Sequence, residues 1–129
     1  MEFLVLNRKL QFLKILFVGL LLAPKISYAN KASTAISAPE TAAKGSEVTV
    51  KLTITHSANS FFHYTNWVTF KVNGKEFTRW DFTSSHRPEA AVFTREVKVP
   101  VNENLELVAE ANCNIHGSAG PANWKIAIK

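Results

Sequence analysis

Val48-Thr49-Val50-Lys51-Leu52-Thr53-Ile54 puts an apolar side chain at every second position and a polar one between. Successive side chains of an extended chain face opposite ways, so this stretch predicts a strand with one buried face and one wet face. The same period of two recurs on the C-terminal side. Val68, Phe70 and Val72 alternate with Thr69 and Lys71, and Asn73-Gly74 then signals a two-residue hairpin into Phe77 to Phe82. Phe93, Val97 and Val99 alternate with Thr94, Glu96 and Lys98. After a turn at Pro100 to Asn104, Leu105, Leu107, Ala109 and Ala111 form another inward stripe, and Trp124, Ile126 and Ile128 make a last strand. No window of useful length has helical period. About six short strands, spaced by turn signals at roughly ten-residue intervals, predict an all-β domain, an antiparallel β-sandwich.

Upstream of the strands the composition changes. Residues 1–29 carry Arg8, Lys9 and Lys14, then the apolar stretch Ile15 to Ala23, then Ser27-Tyr28-Ala29 with small residues where a signal peptidase reads the chain. Nine apolar residues fall short of the roughly 20 that a membrane-spanning helix needs. The expectation is therefore an exported, periplasmic-type protein cleaved after Ala29, with no stable membrane association afterwards. Residues 30–44, rich in Ala, Ser and Thr, read as a tether or a weak first strand, and residues 45–129 as one domain. From Asn30 onward, 11 Lys and Arg oppose 9 Asp and Glu, a formal +2, which gives no footing for a nucleic-acid partner.

The chain has one cysteine, Cys113. An exported domain with a single cysteine has no internal disulfide partner for it. Cys113 and His116 share the run Ala111-Asn112-Cys113-Asn114-Ile115-His116-Gly117, a spacing that lets a thiolate and an imidazole bind one metal from a single loop. The inward set Val48 to Ile54 continues in phase to His56, and the set Leu105 to Ala111 continues to Cys113. If the two strands run the same way, both candidates emerge at one pole, where His63 and His116 reach them from loops. His86, in Ser84-Ser85-His86-Arg87-Pro88, reads as a turn histidine and a weaker substitute ligand.

The run Cys113-Asn114-Ile115-His116-Gly117, preceded by His56 and by His63 with Trp67 four residues on, resembles the iron site of the superoxide reductases, the family of neelaredoxin and the desulfoferrodoxin catalytic domain. The resemblance implies an immunoglobulin-like sandwich holding one mononuclear non-haem iron. It implies Cys113 as axial thiolate, His56, His63 and His116 as equatorial imidazoles, and Cys113 with His116 as the catalytic pair. It also implies superoxide as substrate, reduced to hydrogen peroxide, and a separate electron-donor protein. The family's fourth histidine, supplied from an N-terminal segment, has no counterpart, because residues 30–55 contain no histidine. A set of one cysteine and three histidines leaves a cupredoxin-like copper carrier or electron-transfer protein, and a closed zinc site, as rival chemistries.

Overall fold

The computed structural model describes residues 30–129, so the leader expected over residues 1–29 lies outside the described residues. The strands are β1 (Ser33–Ser37), β2 (Thr41–Ala42), β3 (Glu47–Thr55), β4 (Thr65–Val72), β5 (Lys75–Asp81), β6 (Val92–Pro100), β7 (Leu105–Cys113) and β8 (Ala122–Ile128). They form two sheets, one ordered β1-β3-β6 and the other β2-β8-β7-β4-β5. Their facing sides enclose Val50, Leu52 and Ile54 of β3, Val68 and Phe70 of β4, Val99 of β6, Leu107 and Ala109 of β7 and Ile126 of β8. The architecture is the expected all-β, immunoglobulin-like sandwich.

Each predicted strand is present, and the alternation that announced it matches its burial, most cleanly in β3 and β7. Asn73 and Gly74 turn β4 into β5 with φ of 50° and 81°. Two successive positive φ angles are what a hairpin turn matched to the strand twist requires, and Asn-Gly is the pair that adopts them at least cost.

Of the two readings of residues 30–44, the weak first strand holds and the tether does not. β1 pairs antiparallel with β3 over its whole length, and β2 pairs parallel with β8. Ala32 is fully buried, accepts from Ala119 N–H at 2.9 Å and donates to the Gly117 carbonyl at 3.3 Å. Besides these backbone bonds, Ala32 and Ala42 enter the core and Ile36 and Ala38 pack against it, a mostly small-residue stripe that is faint in the sequence. The parallel β2–β8 pair is likewise a small departure from a purely antiparallel sandwich.

Candidate metal centre

His56 directly follows β3 and keeps the inward phase of that strand, so its ring is buried with only 3% of its surface exposed. Its backbone N–H is satisfied by the Ala91 carbonyl at 3.1 Å. On the ring, Nδ1 lies 3.1 Å from Thr65 Oγ1, while Nε2 is buried and has no partner. With Nδ1–H donating to the Thr65 hydroxyl, Nε2 keeps its lone pair free for a ligand. Burial first, and then the neighbouring His63 and His116, hold the His56 pKa below its ordinary 6.5, against an opposing pull from the Asn30 carbonyl. The ring is thus kept in the neutral form that binds metal.

Thr65 reaches His56 because the sheet has a defect there. Val68 pairs with Ala111, and Thr65 pairs with Cys113, so three residues of β4 span two of β7 with a register shift between Thr65 and Trp67. Regular pleating would put Thr65 on the outer face with Trp67. The extra residue, Asn66, resets the phase and turns Thr65 inward beneath the histidine. Trp67 stays outside, with the Arg79 guanidinium 5.3 Å from its ring centre.

His63 closes a tight turn in which Ser60 and His63 exchange backbone bonds of 2.8 and 3.2 Å. Phe61 and Phe62 at the tip of this turn are exposed, Phe62 by 78%. His63 Nε2 is buried without a partner. The His63 ring stands edge-on to His56, with centroids 4.9 Å apart, and edge-on to His116 at 5.1 Å.

Cys113 ends β7 as the last member of its inward stripe, and only 1% of it is exposed. Cys113 and Gly117 exchange backbone bonds of 2.9 and 3.0 Å, which curls the chain so that the His116 N–H points at Sγ from 3.4 Å. Gly117 closes this curl at φ 83°, a left-handed conformation that a side chain would strain.

The ligand atoms of His56, His63 and Cys113 all lie within 4.8 Å of one another. Two bonds of metal-nitrogen and metal-sulfur length, laid end to end, span about 4.4 Å, so small side-chain shifts let all three close on one ion. The two orphaned Nε2 atoms are the stronger sign of fit, because a buried imidazole nitrogen without a partner costs stability that a metal bond restores. His116 is exposed and stands outside that close group, beside His63. His86 is not in the group. It is exposed in a turn closed by reciprocal 3.1 Å backbone bonds with Thr83, and its Nδ1 meets Ser85 Oγ at 3.3 Å.

A family model for desulfoferrodoxin matches residues 25–119. Among solved structures, a variant of the superoxide reductase (neelaredoxin) from Ignicoccus hospitalis is similar, with 22% identity, TM-score 0.66, and coverage of 82% of this chain and 87% of that one. A putative superoxide reductase from Thermotoga maritima is similar at 23% identity and TM-score 0.55, covering 75% and 86%. The CARDB domain of a Pyrococcus furiosus protein, bound to di-metal ions, has TM-score 0.55 at 11% identity over 82% and 95%. At such identities these likenesses speak for the sandwich alone. No curated protein matches the chain.

Proposed function

The chain belongs to the desulfoferrodoxin family, and from that premise we propose that it is an exported mononuclear non-haem iron protein that reduces superoxide to hydrogen peroxide. The observation that carries the reading is the convergence of one ligand atom each from His56, His63 and Cys113 within 4.8 Å, at two histidines whose Nε2 atoms are buried and unpartnered. Export is supported by the charged and apolar pattern of residues 1–29 with its Ser27-Tyr28-Ala29 end. His56, His63 and Cys113 would hold the iron, joined by His116 from the rim. Once bound, iron supplies the single electron, which with two protons turns superoxide into hydrogen peroxide.

The residues of the chain prepare that step. Thr65 holds the His56 ring at Nδ1 and leaves the buried Nε2 free. The His116 N–H points at the Cys113 sulfur, which would supply a thiolate ligand whose electron donation would tune the metal. Imidazole ligands add no negative charge, so a bound iron would keep a net positive charge that attracts an anion, and the exposed His116 edge leaves a route for superoxide and for solvent protons. The electron is replenished by a donor protein of unidentified class. Nothing in the family match favours copper or zinc.

Rapid mixing of iron-loaded protein with superoxide tests this. The expected result is one hydrogen peroxide for each superoxide consumed, with no dioxygen. Dioxygen released at half the superoxide consumed would mean dismutation, and unaltered superoxide decay would mean a metal-binding protein without this activity. Either result overturns the reading.

A further inference from the structure

Asn114 lies between the two residues of the C-terminal ligand loop, and its side chain, whose Oδ1 is 4.0 Å from Cys113 Sγ, reaches the other loop. Its Oδ1 accepts the Tyr64 N–H at 3.0 Å, and its Nδ2 donates to the Phe62 carbonyl at 3.1 Å. Its backbone N–H adds a third bond, to the Tyr64 carbonyl at 3.1 Å. Phe62 and Tyr64 flank His63, so one amide grips the chain on both sides of that ligand. The bonds between Ser60 and His63 are internal and fix the shape of the turn, and on its other side Asn59 Nδ2 donates to the Pro88 carbonyl at 2.7 Å.

We propose that Asn114 is a positioning residue, an amide clasp that holds His63 at ligand distance from Cys113. The inference rests on the reading of the pole as a metal centre. The two ligands lie on separate elements, and an uncoupled turn with an exposed tip would let His63 drift relative to the sulfur. Because Asn114 directly follows Cys113, the clasp ties the two ligands together over the shortest covalent path. An amide suits the task, since the Tyr64 site needs an acceptor and the Phe62 site a donor. Aspartate keeps the first bond and sets a carboxylate oxygen against the Phe62 carbonyl. Alanine loses both side-chain bonds and leaves the backbone bond.

The test is a double-mutant cycle read by cobalt(II) titration, with Asn114→Ala, His63→Ala, both together, and Asn114→Asp. Asn114→Ala is expected to lower cobalt affinity by about 10–100-fold, the range for residues that orient ligands, and His63→Ala, which removes a ligand itself, by more than about 100-fold. The double variant is expected to be no weaker than His63→Ala alone. The thiolate-to-cobalt absorption should persist in Asn114→Ala, since Cys113 still binds, with its visible bands altered as one ligand loosens. Asn114→Asp should fall between wild type and Asn114→Ala.

Additive losses would overturn the clasp, because they would mean that Asn114 acts other than through His63. So would an Asn114→Ala protein with wild-type affinity and spectrum, or one whose far-ultraviolet circular dichroism shows that it has unfolded without metal. Wild-type protein that binds no cobalt would instead bring down the metal-centre reading, and the clasp with it.

Discussion

Leu107 and Cys113 lie on the same strand, face the same way and are equally shut off from water, at 0% and 1% exposure. Their surroundings differ in kind. Leu107 sits among Phe70, Leu52 and Ile126 in a cluster of apolar side chains whose ladder bonds satisfy the backbone. Cys113 sits beside two imidazoles whose Nε2 atoms are buried and bonded to nothing. A core that merely needed filling would place an aliphatic residue there. The contrast teaches that burial serves stability at the middle of the sandwich and readiness for a ligand at its pole, where unmet polar groups work against the fold.

Breaking the middle should have the largest effect. Leu107→Ala is expected to destabilise the protein by about 2–5 kcal/mol through the cavity it leaves, while metal affinity per folded molecule stays the same. Urea unfolding paired with cobalt titration reads both quantities. A parallel loss of affinity would mean that core and pole are not separable.

Filling the pole should come next. Metal at about 100 times its dissociation constant is expected to stabilise the wild-type chain by about 2.7 kcal/mol. In His63→Leu that gain should disappear, and the metal-free variant should match or exceed wild type by about 1 kcal/mol, because an orphaned buried nitrogen has been removed. A metal-free His63→Leu protein much weaker than wild type would show that His63 is a structural residue.

A smaller effect follows from pH. The folded state holds the His56 pKa below 6.5, chiefly through burial, so between the two pKa values the unfolded chain binds a proton that the folded chain refuses. This contribution is fully present above pH 6.5 and is lost as pH falls from there toward the folded pKa. The metal-free protein should therefore lose stability between pH 7 and 5, and His56→Gln should lose less. Equal slopes for the two proteins would place the pH dependence elsewhere.

What the sequence disclosed, and what it withheld, follows the same division. Alternation made β3 and β7 readable, and because it continued unbroken into His56 and Cys113 it also brought those two residues to one pole. Asn73-Gly74 announced its hairpin because few residue pairs accept two positive φ angles. β1 was only faintly legible because its inward residues are mostly small and its place is held largely by hydrogen bonds to β3, which any residue makes. Thr65 stayed hidden because a bulge at Asn66 shifts the phase by one, so counting in twos assigns it the wrong face. The grip of Asn114 on Phe62 and Tyr64 joins segments far apart in the chain, and only tertiary structure pairs them.

The central claim is that His56, His63 and Cys113 converge on one iron. Iron titration of wild type and Cys113→Ser, followed by oxidation and visible absorption, tests it most directly. One iron per chain is expected in the wild type, with a thiolate-to-iron charge-transfer band that Cys113→Ser lacks. An identical spectrum in the two proteins, or no iron bound by the wild type, would contradict it.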